Sequence, residues 1–391
     1  MTKQLTYIDL FCGIGGFHQA LTSLGAKCIL ACDIDEACRS NYAQNYGITP
    51  LKDIKDIQEH GLPDFDILCG GFPCQPFSSG GNKKTFQDKR GGLFDEIMRI
   101  VKVKQPKFLF LENVKHILKV SEGKVLQYIE EQIDVHGYVL QRFQMSPHDY
   151  GVPQQRERIY FVCVRKDLYT GTPITLSMEE HVDVDVTSIV EKREEVDEKY
   201  YLKGDLLKVL EAWDEMISVF EVGETLSPTL LMHDAYRNYT VEEYATLATW
   251  RTEYMEKNKR LIEKYREPFA EWYTKHKELL SKREIYGKLE WQVGKVKPND
   301  SIFDYFIQIR QSGIRVKKAK YFPTLVAISQ IPIYGKEKRY ITPRECARLQ
   351  SFPDSYQISE KDKDSYKQFG NSVNVKNVKT VIHSTLKHYG I

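Results

Sequence analysis

The sequence places a thiol, a carboxylate and two guanidinium groups where apolar segments begin or end. Cys74 lies between Pro73 and Pro76, just after the apolar segment 65–69. The prolines exclude a helix here and present the thiol from a rigid loop. An ordinary cysteine is only a few per cent thiolate at neutral pH, so a nucleophile here needs an activating environment. For a bare Pro-Cys pair, the alternative is a structural cysteine in a turn.

Glu112 ends another apolar segment, and Arg156 and Arg158 lead into the apolar segment 158–164. Because the carboxyl ends of parallel strands share one edge, we expect Glu112 to face the same edge as Cys74. The two arginines, two residues apart, are expected on one face of their strand. Taken alone, Glu112 could instead be a helix N-terminal acid. Together these groups predict nucleophilic and acid–base chemistry.

A glycine-rich turn at 11–17 follows the first apolar segment and precedes a helical pattern. Glycines at such a turn let the backbone approach a ligand closely, although many structural turns share this composition. Asp33 ends the second apolar segment, where a carboxylate can accept ribose hydroxyls, and Asp53 could accept from an adenine amino group. No triphosphate-binding loop is present. The pattern therefore favours a nucleoside-bearing cofactor without a demanding polyphosphate.

The elements that position these residues alternate between strand and helix patterns. The predicted strands are 5–11, 27–31, 65–69, 108–111 and 158–164, and the predicted helices include one ending at residue 24, one over 93–103 and one over 375–388. Such alternation is typical of an α/β fold with a doubly wound parallel sheet.

Composition narrows the class of protein. The 391 residues are 41% hydrophobic and 28% charged, with a net charge of +2. No stretch has the roughly 18 apolar residues of a membrane helix, and the first residues show no signal peptide, so we expect a cytoplasmic protein. The eight cysteines are then reduced thiols. No metal site is predicted, because Cys28, Cys32 and Cys38 lack the paired short spacings of structural zinc.

The second half of the chain has a different composition and charge pattern. Residues 178–200 are acidic and predict a solvated linker or insertion, and 241–286 predicts charged helices that pack as a pair. From residue 291 to residue 344 there are eleven lysines and arginines against three acids. This local excess predicts a phosphate-facing surface.

Six motifs in this order resemble those of the S-adenosylmethionine-dependent DNA cytosine-C5 methyltransferases of bacterial restriction–modification systems. They are Phe11-Cys12-Gly13-Ile14-Gly15-Gly16, Gly71-Phe72-Pro73-Cys74-Gln75-Pro76-Phe77-Ser78, Glu112-Asn113-Val114, Gln155-Arg156-Glu157-Arg158, Arg344-Glu345-Cys346-Ala347-Arg348-Leu349-Gln350 and Gly370-Asn371-Ser372-Val373. The resemblance spans nearly the whole chain. One departure is Cys12, where alanine is more usual, and we expect it to leave binding undisturbed.

The resemblance implies a mechanism. Cys74 would add to carbon 6 of a flipped-out cytosine, so that carbon 5 can take the methyl group. Glu112 would hydrogen-bond the ring nitrogen N3 and the exocyclic amine. Arg158 would contact the cytosine carbonyl oxygen, and Arg156 would support the acid or the loop. We take these four residues as the catalytic set.

The resemblance also implies the binding residues. For S-adenosylmethionine, leaving as S-adenosylhomocysteine, they are Phe11, Gly13, Ile14, Gly15, Gly16, Asp33, Ile34, Asp53, Ile54, Pro73, Leu93, Asn371 and Ser372. For double-stranded DNA, they are Ser78, Lys83, Lys84, Arg310, Arg315, Lys317 and Thr324. Neither the recognition sequence nor the residues that read it can be assigned at this point.

The implied organisation is a Rossmann-like catalytic domain over 1–175, a smaller target-recognition domain with a helical insertion over 176–345, and a return segment over 346–391 that completes the first. We expect a monomer, with a restriction endonuclease acting on the same sequence as a candidate partner. Three alternatives stay open: a tRNA cytosine-C5 methyltransferase of the same fold, a non-catalytic DNA-binding relative, and a dehydrogenase. The absence of a G-x-G-x-x-G turn disfavours the dehydrogenase.

Overall fold

The computed structural model describes residues 4–73, 92–177, 184–328 and 330–391. The chain forms two compact units. Unit 1 comprises Met1–Ile189, Thr324–Ala327 and Pro343–Ile391, and unit 2 comprises Val190–Pro323 and Ile328–Thr342. The predicted domain limits at residues 175 and 345 stay a prediction. Across the described ranges, no helix is both long and apolar enough to cross a bilayer.

Unit 1 is built on a six-stranded sheet. Its strands are β1 Thr6–Leu10, β2 Lys27–Cys32, β3 Ile67–Gly71, β4 Phe108–Val114, β5 Tyr138–Met145 and β6 Arg158–Arg165. Their order across the sheet is β2-β1-β3-β4-β6-β5. The first four are parallel, whereas β6 runs antiparallel to both β4 and β5. The α/β class is confirmed, but the expected parallel arrangement extends over four strands only.

Helices cover both faces of this sheet. The helices of the described residues are α1 Gly16–Ser23, α2 Glu36–Tyr46, α3 Gly92–Lys104, α4 Lys124–Val135, α5 Gly204–Val219, α6 Met232–Ala235, α7 Val241–Ala245, α8 Thr249–Lys264, α9 Arg266–Ser281, α10 Pro343–Leu349, α11 Asp362–Asn371 and α12 Val375–His388. Ile8 and Leu10 of β1 share an apolar cluster with α3 and α4. From the opposite face, Tyr7 bonds to Thr22 of α1, with 3.2 Å between the hydroxyl oxygens. Because side chains alternate along a strand, both faces of the sheet are buried, as in a doubly wound fold.

Strand β5 was not predicted. Its burial is irregular, and the polar residues Gln141, Arg142 and Gln144 interrupt its apolar pattern. It lies at the edge of the sheet and pairs only with β6. Because β5 pairs antiparallel with β6, it can leave one face partly exposed to water, so the apolar run that marks a strand buried on both faces is missing here.

Unit 2 contains a second six-stranded sheet. Its strands are β7 Thr229–Leu231, β8 Lys288–Gln292, β9 Phe306–Arg310, β10 Gly313–Lys317, β11 Ile333–Tyr334 and β12 Arg339–Tyr340, in the order β12-β11-β9-β10-β8-β7. One face packs against α5, α8 and α9. Trp213 of α5 and Trp272 of α9 meet there with ring centroids 4.9 Å apart. The predicted packing of helices within 241–286 is confirmed, since Leu261, Phe269 and Trp272 lie in this core.

Candidate active site

The glycine turn between β1 and α1 forms a tight backbone bend. Gly13 and Gly15 both have positive φ angles, +52° and +84°. A Cβ on Gly15 would lie 2.3 Å from the ring of Tyr46, and one on Gly16 would lie 2.5 Å from Val373. Close packing therefore requires glycine at positions 15 and 16. A Cβ on Gly13 would meet nothing within 4 Å, so the turn is open above this residue.

Asp33 is tied to the same turn. Its Oδ2 accepts a hydrogen bond from the backbone N–H of Gly13 at 2.7 Å, and its Oδ1 accepts one from Asp35 N–H at 2.8 Å. Burial raises the pKa of this carboxyl above its ordinary value. A carboxylate has about four acceptor positions, so two bonds leave capacity for hydroxyl donors. The side chain of the next residue, Ile34, is 71% exposed and offers an apolar surface beside that carboxylate.

The other predicted cofactor residues of unit 1 lie at the ends of its elements. Asp53 caps a short 3₁₀ turn and accepts from Lys55 N–H at 3.0 Å, and Ile54 follows it in the core. Phe11 and Leu93 are half-buried against the apolar core of unit 1. Ile14 is buried, and Pro73 is exposed as the last described residue before Cys74.

The closing motif lies against the glycine turn. Asn371 ends α11 and is exposed, whereas Ser372 is buried. A Cβ on Gly16 would lie 3.1 Å from the Oγ of Ser372. Residues from the two ends of the chain thus form one surface. Within it, an open glycine, a carboxylate with spare acceptor positions and an exposed apolar side chain fit an adenosine-bearing ligand.

Glu112 and Arg158 form the ion pair at the carboxyl end of β4. Arg158 Nε lies 3.0 Å from Glu112 Oε1, and their side chains are only 14% and 10% exposed. Burial raises the pKa of Glu112, and Arg158 opposes that rise. Gly71 of β3 pairs with Glu112, and a Cβ there would lie 3.4 Å from Oε2. The sheet therefore holds a buried carboxyl group, paired with an arginine, beside the residues that lead to Cys74.

Asn113 fixes the backbone just before that cysteine. Its Nδ2 donates to the carbonyl of Phe72 at 2.9 Å, and its Oδ1 accepts from Val114 N–H at 2.9 Å. Asn113 is buried, so neither bond competes with bulk water. It belongs to a motif that the sequence singled out, but its contact with Phe72 depends on the pairing of β3 with β4.

Arg156 lies apart from the ion pair in its contacts. Its side chain is 2% exposed and donates to three backbone carbonyls, those of Leu325 at 2.6 Å, Gly370 at 2.9 Å and Ser372 at 2.9 Å. These bonds tie three distant segments of unit 1 together. They support Arg156 as a positioning residue, whereas its predicted place in the catalytic set stays a prediction.

The predicted DNA-contact residues are distributed widely. Thr324 donates its hydroxyl to the carbonyl of Gln155 at 2.5 Å. Arg310, Arg315 and Lys317 lie on β9 and β10 in unit 2. Cys74, Ser78, Lys83 and Lys84 lie outside the described residues. Glu290, to which Arg315 is paired, was missed because only strand register brings them together.

Comparison with known proteins gives a consistent picture. The model of the family described as C-5 cytosine-specific DNA methylase matches residues 5–387. The Type II methyltransferase M.HhaI of Haemophilus parahaemolyticus is 30% identical over 95% of this chain and 92% of its own length. The Type II methyltransferase M.HpaII of Haemophilus parainfluenzae is 31% identical over 100% of this chain and 91% of its own.

Solved structures agree on the fold. The Entamoeba histolytica methyltransferase EhMeth superposes with a TM-score of 0.55 at 19% identity, covering 99% of both chains. The S. pombe Dnmt2 methyltransferase gives a TM-score of 0.55 at 19% identity, covering 99% of this chain and 100% of its own. At this identity the likeness concerns the fold alone.

Proposed function

The chain belongs to the C-5 cytosine-specific DNA methylases, and we propose that it methylates carbon 5 of a flipped-out cytosine within one short duplex DNA sequence, through a covalent adduct of Cys74. The observation that carries this proposal is the buried Glu112–Arg158 ion pair at the sheet edge. The pair lies beside Gly71, which precedes Cys74 by three residues in the sequence. The pair combines a carboxyl group whose burial raises its pKa with a cation that can contact a carbonyl oxygen.

The proposed chemistry assigns one task to each group. The thiolate of Cys74 forms a bond to carbon 6, while Glu112 gives a proton to ring nitrogen N3, so that electron density moves to carbon 5. Arg158 donates to the cytosine carbonyl oxygen and stabilises the charge that develops on the ring. After methylation, loss of the carbon-5 proton to a base, for which we propose water, returns the electron pair and expels the thiolate, and N3 gives its proton back to Glu112.

The raised pKa of Glu112 supports its role as the acid. A carboxyl in water would be ionised at neutral pH and could only accept a hydrogen bond. Burial favours the protonated form, and Asn113, next in the chain, holds the backbone that leads to Cys74. The few kcal/mol needed to flip the base would be offset by phosphate contacts from the basic residues of unit 2.

The methyl donor we propose is S-adenosylmethionine, which supplies an electrophilic methyl group when bound. Asp33 would accept its ribose hydroxyls, Asp53 its adenine amine, and Phe11 and Ile34 would contact the adenine faces. Ser372, beside Gly16, would complete the site on the methionine side, together with Asn371. The open space above Gly13 and the 71% exposure of Ile34 support this placement.

Methylation sequencing of duplex DNA treated with the purified protein and S-adenosylmethionine tests the proposal. We expect 5-methylcytosine confined to one short motif, and irreversible trapping of the protein on the same motif carrying 5-fluorocytosine. A Cys74→Ser variant should lose both while keeping cofactor affinity. Methylation of tRNA without methylation of DNA would overturn the choice of substrate, and turnover by Cys74→Ser would overturn the adduct.

A further inference from the structure

The second sheet has a polar face that its core does not use. Residue pairing places Glu290 of β8 beside Arg315 of β10, and Arg315 beside Gln308 of β9. Because side chains alternate along a strand, these three lie on one face, while their neighbours Leu289 and Ile314 enter the core on the other. The face is therefore a continuous polar row across three strands.

Glu290 is the single acid of this row, and it is only 9% exposed. Its Oε2 lies 2.6 Å from Arg315 Nε and 3.7 Å from Arg310 Nη1. Lys317 lies on the same face two residues after Arg315, and partial burial together with that arginine lowers its pKa. Two arginines thus lie within 4 Å of one buried carboxylate, and with Lys317 on the same face the cluster keeps a net positive charge.

The bond to Glu290 fixes the direction of Arg315. It engages the Nε edge of the guanidinium, so the plane of the group is set by the carboxylate. In the part of the chain that the structure describes, neither terminal nitrogen of Arg315 donates a hydrogen bond, and the side chain is 27% exposed. A planar, oriented pair of N–H donors matches a partner with two acceptors side by side.

The buried carboxylate decides between two such partners. A DNA phosphate carries a full negative charge, so Glu290 weakens its attraction to Arg315 more than it weakens the contact of a neutral base edge. A base edge is neutral, so it loses little to Glu290 and gains from the fixed orientation. Among bases, guanine presents two adjacent acceptors, O6 and N7, to an arginine fork. On the footing of the proposed function, we infer that Arg315, oriented by Glu290, reads a guanine of the target sequence.

Replacing the planar guanidinium group of Arg315 without losing its positive charge tests this assignment. Arg315→Lys keeps the cation but has no planar pair of donors. Loss of one bidentate contact corresponds to about a 5- to 150-fold loss of discrimination. Methylation sequencing on a randomised duplex library should therefore show one guanine position of the wild-type motif relaxed by that factor, with the other positions unchanged. The salt dependence of DNA binding should stay the same, because the charge is kept.

Glu290→Gln separates a base contact from a phosphate contact by the sign of its effect. If Arg315 reads a base, the loss of orientation should relax the same guanine position. If Arg315 binds phosphate, removal of the anion should tighten binding to every sequence and leave the motif intact. Arg237→Lys is the matched control, because Arg237 pairs with Glu243 in the same unit but is 57% exposed. It should leave the motif and the affinity unchanged.

Three outcomes overturn the assignment: a wild-type motif without guanine, an unchanged motif in Arg315→Lys, or tighter unselective binding by Glu290→Gln. Thermal melting and cofactor affinity identify a variant that has failed to fold, and Arg315→Gln then provides a second removal of the fork. A wild-type protein that methylates a defined motif while the variants keep it refutes only the Arg315 assignment. A wild-type protein that methylates no cytosine refutes the proposed function, and the assignment falls with it.

Discussion

Replacement of Arg156 by methionine should destabilise unit 1 strongly while leaving the chemistry of the surviving folded protein largely intact. The guanidinium donates to the carbonyls of Leu325, Gly370 and Ser372. These residues come from segments that lie 169 to 216 positions away along the sequence. Methionine retains much of the stem's packing volume but none of the donors, so three carbonyls would stay buried without this partner.

The size of the effect follows from those three bonds. A buried polar group left unpaired costs about 1–3 kcal/mol, so three would cost roughly 3–9 kcal/mol. Burial also disfavours the guanidinium itself, lowering the pKa of Arg156 to about 9, and the variant escapes that cost. We therefore expect a loss near the lower end, about 3–5 kcal/mol, as is typical when one partner of a buried charged network is removed. For a unit of this size the melting temperature should fall by about 6–20 °C.

Thermal unfolding and methylation kinetics at low temperature are the assays. Arg142→Met is the control, because Arg142 on β5 makes a half-exposed pair with Glu130 at 3.4 Å, and its loss should cost about 1 kcal/mol or less. Arg156→Lys should recover only part of the stability, since one ammonium cannot match the fork. A melting temperature within about 2 °C of wild type, with kcat abolished, would refute the positioning role and support Arg156 as a catalytic residue.

Three further predictions concern single contacts. Arg158→Gln removes the cation proposed to stabilise charge on the cytosine ring, so kcat should fall by about 10²- to 10³-fold. It also removes the cation that opposes the raised pKa of Glu112, so the alkaline limb of the pH–rate profile should move to higher pH. A shift of that limb to lower pH would contradict the assignment. Asn113→Ala removes the side-chain donor to the Phe72 carbonyl, which should lower the free energy of unfolding by about 1–3 kcal/mol and lower kcat. The cofactor affinity, measured by calorimetry, should stay unchanged. Weakened cofactor binding would contradict a role of Asn113 in holding the backbone before Cys74. Burial lowers the pKa of His18 to about 4, so its neutral form stabilises the fold above pH 6.5, and that contribution is lost as the pH falls from 6.5 toward 4. The difference in free energy of urea unfolding between wild type and His18→Gln should therefore shrink over this range by at most about 3 kcal/mol. A difference that stays constant with pH would refute this prediction.

The catalytic half of the fold was readable from sequence because its signals are local. Strand β4 begins with the uninterrupted apolar run 108–111, β1 is apolar apart from Thr6 and Asp9, and the helix over 375–388 has the predicted bounds. The direction of β6 was not readable, since an antiparallel strand has the same composition as a parallel one. Whether a strand continues or reverses the sheet depends on the connection before it, and here that connection follows the unpredicted β5.

The site shows the same division between local and distant information. The residue types at Glu112, Arg158 and Asp33 follow from motif and position along the strands. Their partners follow from register, as with the pairing of Gly71 and Glu112. The charge count over residues 291–344 shows what is missed when the register is unknown. It began at residue 291, so it omitted Glu290, the residue with which Arg315 forms an ion pair. Charge read along a chain cannot show which cations are paired.

The contact between Gly16 and Val373 has a consequence for how the protein is made. Ribosomes add roughly 5–20 residues per second, so the 357 residues from position 17 to position 373 take about 20–70 s to synthesise. Throughout that time the glycine turn lacks the wall that Val373 and Ser372 provide. A nascent chain should therefore be unable to bind cofactor until its last helix has emerged, and a late nonsense mutation should be as damaging as an early one.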